Sequence, residues 1–254
     1  MKAVILGCGT SSGVPRVGND WGACDPADPR NRRRRASIMV ETARTRILVD
    51  TGPDLREQLL TADVADVDAV IWTHDHADHC HGIDDLRQLF HARGRPVEGY
   101  ARGWTLEALG TRFAYAFDGK EGYPPVTTGH LLPAEIVIGD IRVISTDQPH
   151  GGITSVGLRF EAEGKSIAYA TDFNAMTDDM ATLYADVDLW VVDALRRRPH
   201  PTHPHLAEVL GWIAAFRPAR ALLTHMDQSM DYASLAAELP DGVAPAYDGL
   251  EVRV

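Results

Sequence analysis

The chain has 254 residues, 44% of them hydrophobic, and its 25 Lys and Arg face 36 Asp and Glu, for a formal net charge of −11. So acidic a chain lacks the basic surface that releases counterions from a polynucleotide, which excludes long nucleic acid as a general partner but leaves a small phosphate ester open as a substrate. Cys8, Cys24 and Cys80 form no disulfide framework, no apolar run reaches membrane-spanning length, and the short apolar start lacks a cleavage site, so the expectation is a cytoplasmic protein with no membrane partner.

In chain order, residues 2–6 read as a strand, followed by a long loop rich in Gly, Pro and Arg that runs to about residue 36. Ser37–Glu41 and Arg46–Val49 read as a strand pair. Pro53 and Asp54 open a short helix through residue 60. A buried-type strand at 69–72 is followed by helices at 84–91 and 104–116. Short strands follow at 136–138, 142–145, 154–160 and 166–170. The last third alternates: strand 189–192, helix Leu206–Phe216, strand 219–223, helix 232–239 and a final strand near Val252. Meandering strands followed by strand–helix alternation predict a mixed α/β (α+β) architecture. No repeat or linker divides the sequence, so one domain over 1–254 is expected.

Three apolar strands end alike. Ala-Val-Ile-Trp-Thr73 runs into His74, Ile-Ala-Tyr-Ala-Thr171 into Asp172, and Ala-Leu-Leu-Thr224 into His225, while a fourth strand ends at Asp50. Ligands of α/β sheets gather at the carboxyl ends of strands, so these positions are expected to converge. The densest stretch is His74-Asp75-His76-Ala77-Asp78-His79, a run far too polar for a core. Neutral imidazole suits zinc, iron or nickel, and carboxylates also admit manganese. On a tight loop, His74 and His76 face one ion and Asp78 and His79 a second; His150, Asp172 and His225 complete both. Asp172 is the natural bridge, because a carboxylate can span two ions roughly 3.5–4 Å apart. Asp50 is expected to orient a ligand by hydrogen bonding. His81, His91, His130, His200 and His205 read as ordinary surface residues or neighbours of the ligands.

The pattern His-x-His-x-Asp-His, then a lone His, a strand-end Asp and a strand-end His, resembles the metallo-β-lactamase superfamily. The resemblance implies an αββα sandwich, with His74, His76, His150 and Asp172 around one ion and Asp78, His79, Asp172 and His225 around the other. Five further stretches are similar to the PhnP-like phosphodiesterases: residues 6–15, 50–56, 81–87, 199–203 and 246–250. That narrower likeness implies two divalent ions per chain, zinc or manganese, and a small cyclic ribosyl or nucleotide phosphate as substrate. It also implies His203 as the group that protonates the leaving oxygen or steadies the phosphate, and it counts Asp78 as catalytic as well as a ligand. A homodimer is compatible with it.

In one respect the chain departs from the PhnP-like pattern, which carries a remote structural zinc on three cysteines and a histidine. Those positions are here Asn19, Trp21, Cys24 and Gln228, so no structural zinc is expected, since a tetrahedral site needs all four ligands. Trp21 is expected to anchor the loop instead, as a buried indole. The arginine run from Arg30 to Arg35 is expected to be solvated or salt-bridged, and Gly7 to Gly13 to form a tight turn beneath the metal site. The rival readings are a transfer-RNA 3′-processing ribonuclease, a lactonase or thioesterase, and a flavodiiron protein. The ribonuclease wants a long basic insertion and the flavodiiron type a Glu at the place of His76; neither is present.

Overall fold

In the computed structural model, which describes residues 1–254, strand alternation sorts the apolar side chains of the first half to two faces. β2 (Ser37–Glu41) lies between β1 (Lys2–Gly7) and β3 (Arg46–Val49) and runs antiparallel to both. β4 (Ala69–Ile71), β5 (Val97–Ala101) and β6 (Thr127–Leu131) extend the sheet in parallel from β3. Ile38, Val40, Ile47 and Val49 face inward, while Met39, Leu48, Val70 and Trp72 face a helical layer. That layer comprises α1 (Leu55–Thr61), α2 (Ala77–Cys80), α3 (Leu86–Arg93), α4 (Gly103–Arg112) and α5 (Ala114–Asp118).

The second half repeats the plan. β7 (Glu135–Ile138), β8 (Ile141–His150), β9 (Ile153–Ala162) and β10 (Lys165–Ala170) form an antiparallel meander. β11 (Leu189–Asp193), β12 (Arg220–Thr224) and β13 (Val243–Pro245) then run parallel to β10. The last strand, β14 (Glu251–Arg253), returns to the first sheet beside β1. Val143, Val156, Leu158, Phe160 and Val191 share one core with Ile38 and Val49 of the first sheet. Each such fully buried aliphatic or aromatic side chain contributes about 1.5–3 kcal/mol. Outside lie α6 (Asp178–Tyr184), α7 (Leu206–Phe216) and α8 (Tyr232–Glu238); Tyr184 stacks on Trp190 with ring centres 5.2 Å apart, and Trp212 packs on Phe173. This is the αββα sandwich that the resemblance implies. No helix is long and apolar enough to cross a membrane.

The expected elements are present, with adjusted ends and some additions. The helix expected over 104–116 breaks into α4 and α5 at Phe113, whose φ of −126° and ψ of 39° leave the helical region. β5, β6, β13, α2 and α6 carry no sequence expectation. β5 is weak as a strand in sequence because Gly99 sits against the Trp72 ring, where a Cβ would come within 2.4 Å of Cζ3. A close approach demands glycine and erases the β-propensity signal.

The long loop corrects two expectations. Trp21 is only half-buried, with the Arg32 guanidinium 5.1 Å above its ring. The anchor is Arg33, 2% exposed, inside a run expected to be solvated or salt-bridged. Its Nη1 donates to the Asp227 carbonyl (3.2 Å) and its Nη2 to the Met230 carbonyl (2.5 Å) and Asn31 Oδ1 (3.2 Å). Asn31 Nδ2 in turn donates to Asp231 Oδ1 (2.8 Å), which also accepts the Asp25 amide (3.0 Å). A guanidinium offers five donors in a fixed fork and can satisfy several carbonyls at once, whereas an indole has one N–H. Three others of the run are paired as expected, Arg30 with Asp28 (2.7 Å), Arg34 with Asp248 (4.0 Å) and Arg35 with Asp54 (3.3 Å), and Arg32 is exposed. Gly9 packs against Arg33, and Cys8 and Thr10 hydrogen-bond Met226, so the Gly7–Gly13 turn braces the residue after His225.

Candidate metal centre

Strands of both sheets deliver the site residues from their carboxyl ends. Asp50 follows β3, His74 lies just past β4, His150 closes β8, Asp172 follows β10, Asp193 closes β11 and His225 follows β12. Asp50, Asp172 and His225 each take positive φ (65°, 55° and 55°). Asp and His are among the side chains that tolerate this left-handed region, and the turn swings each side chain out of its strand to the sheet edge. His79 and Asp78 come from α2, a single helical turn where the sequence suggested only a loop.

The seven residues His74, His76, Asp78, His79, His150, Asp172 and His225 are brought together in two groups. Ligand atoms of His74, His76, His150 and Asp172 lie within 4.8 Å of one another, as do those of Asp78, His79, Asp172 and His225. Asp172 belongs to both. Its Oδ1 is 3.5 Å from His150 Nε2 and 3.9 Å from His74 Nε2, while its Oδ2 is 3.1 Å from His79 Nε2 and 3.4 Å from His225 Nε2. Asp78 Oδ2 completes the second group, 3.2 Å from His79 Nε2 and 3.6 Å from His225 Nε2.

The outer nitrogens of three imidazoles are fixed. His79 Nδ1 donates to Asp50 Oδ2 (2.7 Å). His74 Nδ1 meets Thr73 Oγ1 (3.0 Å), whose own hydroxyl donates to Asp50 Oδ2 (2.8 Å). His150 Nδ1 donates to the Thr202 carbonyl (2.9 Å). Asp50 thus serves two ligand histidines at once. With Nδ1 carrying the proton, each Nε2 turns a lone pair inward, which is how outer hydrogen bonds prepare histidine for metal. Nε2 of His74, His79 and His225 is buried without a hydrogen-bond partner. Orphaned lone pairs around a buried carboxylate fit a divalent cation.

The electrostatics agree. Burial alone lowers His74, and the neighbouring His79 adds to it. Burial would also lower His79 and His225, but the carboxylates win: Asp172, Asp78 and Asp50 hold His79 well above its ordinary value, and Asp172 with Asp193 raises His225 to about 9. For Asp172 and Asp78 burial works upward, yet the adjacent imidazoles keep both carboxyls well below the usual range. The centre demands positive charge, and protons compete with cations for it.

His203 stands at the same place, on the loop before α7. Its ring stacks on His225 at 4.8 Å and 13°, and its Nε2 is 3.8 Å from Asp172 Oδ1. Sequence reasoning missed its partner. Asp193, fully buried, accepts from His203 Nδ1 (2.8 Å) and from the Asp172 amide (3.1 Å), and its other oxygen is 3.9 Å from His225 Nδ1. The signal was available: Leu-Trp-Val-Val-Asp193 is another apolar strand ending at a ligand-type residue. Asp75, inside the dense cluster, turns away to pair with Arg112 (2.6 Å). Of the remaining histidines, His130 pairs with Glu98, His205 caps α7 with Glu208, and His81 packs on Phe113. His200 lies 5.2 Å from the His203 ring.

Comparison with known proteins places these features in a family. Residues 45–226 match the beta-lactamase superfamily domain. The crystal structure of a diphosphatase from the PhnP family superposes with a TM-score of 0.90 at 33% identity, covering 100% of this chain and 97% of that one. An octanoyltransferase of Porphyromonas gingivalis is 31% identical over 264 residues, covering 100% of this chain and 52% of its own length. Exodeoxyribonuclease WalJ of Streptococcus pneumoniae is 27% identical over 168 residues, covering 62% of this chain and 57% of its own length. The chain thus spans about half the length of these two curated relatives.

Proposed function

The chain belongs to the metallo-β-lactamase superfamily and to its PhnP-like hydrolases, and from that premise we propose that it is a dinuclear metal-dependent phosphodiesterase for a small substrate, a cyclic ribosyl or nucleotide phosphate. The observation that carries the reading is the convergence of the imidazole Nε2 atoms on Asp172, with Nδ1 of His74, His79 and His150 already committed to outer partners. Two divalent ions held there, zinc or manganese by the donor set, would supply Lewis acidity and an activated water. His74, His76, His150 and Asp172 hold one ion; Asp78, His79, Asp172 and His225 hold the other. Asp78 is catalytic in this reading, through its place in the second seat.

His203 acts on the leaving oxygen. Asp193 accepts its Nδ1–H and so fixes the ring's orientation, and in the general-acid role Nε2–H donates to the departing sugar oxygen as the P–O bond breaks. A carboxylate behind an imidazole sets its tautomer and orientation. The acidic chain supports a small substrate over a polynucleotide, no membrane partner is proposed, and the three unpaired cysteines suit a cytoplasmic setting. A second reading, cleavage of a diphosphate link, is favoured by the diphosphatase activity named for that relative. The test is metal analysis of purified protein together with parallel assays on bis(p-nitrophenyl) phosphate, a cyclic ribose phosphate, a nucleotide diphosphate ester, a lactone and a thioester. Two ions per chain with phosphoester turnover is the expected result. Lactone or thioester turnover with inert phosphodiesters would overturn it.

A further inference from the structure

We infer that Asn174 is a positioning residue that clasps together the loops bearing His150, Asp172 and His203. It lies two residues beyond Asp172, exposed, and outside the metal-facing set. Its backbone amide donates to the Pro149 carbonyl (2.9 Å), its Oδ1 accepts the Gly151 amide (3.1 Å), and its Nδ2 donates to the Pro201 carbonyl (3.3 Å). One residue therefore grips both sides of His150 and the stretch just before His203.

The clasp matters because His150 and the His203 loop also bond directly. The acceptor for His150 Nδ1 is the Thr202 carbonyl, the link between Pro201 and His203. Gly151 permits this closeness: it takes φ of 59°, and a Cβ there would come within 2.7 Å of Thr202 Cγ2. The orientation of a metal-facing imidazole and the placing of the leaving-group acid thus rest on one strip of backbone, which the Asn174 carboxamide holds against the Asp172 loop. Hydrogen bonds behind a metal-ligating histidine change metal affinity by about 10–100-fold when removed, although they never touch the ion.

This inference rests on the dinuclear reading above, and its test is read first on metal binding, without substrate. Manganese-loaded wild-type protein and Asn174→Ala are titrated with a chelator while each released ion is counted. In Asn174→Ala one of the two ions is expected to leave about 10-fold more readily, the other being unchanged. Turnover should then fall more for phosphodiesters with poor leaving groups than for nitrophenyl esters. Asn174→Asp keeps the acceptor for Gly151 but loses the donor to Pro201; it should loosen the same ion to a lesser degree while retaining the leaving-group effect. Unchanged release of both ions in Asn174→Ala, or equal weakening of both, overturns the clasp. A wild-type protein that holds no ions at all sinks the dinuclear reading itself, a different failure with a different signature.

Discussion

Replacing Arg33 with methionine keeps most of the apolar stem and removes every donor. One buried acceptor, the Met230 carbonyl, is orphaned, while the Asp227 carbonyl keeps the Met230 amide and Asn31 Oδ1 keeps the Tyr232 amide. The orphaned carbonyl costs about 1–3 kcal/mol, and each of the other two lost bonds about 0.5–1.5 kcal/mol. Against that, the variant no longer desolvates a guanidinium, which returns part of the several kcal/mol that burying an ion costs. The net expectation is a loss of about 1–3 kcal/mol, with Arg33→Lys in between, because an ammonium cannot fork to two carbonyls. Equilibrium urea unfolding of metal-stripped protein, followed by tryptophan fluorescence, reads the difference directly. A change under about 0.5 kcal/mol for Arg33→Met would refute the assignment of Arg33 as the loop anchor. A companion measurement is metal content in a variant lacking His74, His76, Asp172 and His225. No bound zinc is expected, since Asn19, Trp21 and Gln228 stand where ligands would be needed; one tightly retained zinc would mean that metal holds this loop after all.

Asp172→Ala should remove both ions together, because it is the one residue shared by the two donor groups; loss of a single ion on metal analysis would break the bridging assignment. His203→Ala should lower turnover on a poor leaving group by on the order of 10²–10⁴ with metal content intact, and Asp193→Asn should reproduce most of that loss. A uniform loss across leaving groups would point to phosphate positioning instead. Burial pushes the Asp248 carboxyl up to about 6, against hydrogen bonds from the Arg34 and Cys8 amides. A folded-state value above the unfolded one means that this group's share of stability is greatest in acid and is lost as pH rises from about 4 to about 6, by up to about 3 kcal/mol. Asp248→Asn removes that dependence, so the stability difference between variant and wild type should shift between pH 4 and pH 7; an equal difference at both ends contradicts it.

The convergence of the seven His and Asp residues was legible in the sequence because its signal is local and chemical. A dense histidine–aspartate run and three apolar strands breaking into His or Asp are unusual whatever the fold, and parallel strands carry their ends to one edge. The same reasoning overlooked Asp193, although its strand ends the same way, because its importance comes from lying behind His203, ten residues on along an irregular loop. Strand β5 was hidden by Gly99, chosen for contact with Trp72 and not for β-propensity. The fate of the arginine run was also beyond sequence. Six neighbouring positions hold five arginines of equal hydrophilicity, and only the approach of residues 227–230 makes Arg33 interior while Arg30 and Arg35 pair at the surface. Residue chemistry and period determine which groups can bind a cation and which face of a strand is apolar. Which polar group is buried, and against which carbonyl, is decided by segments some two hundred residues apart in the chain, so it exists only once the two sheets have closed.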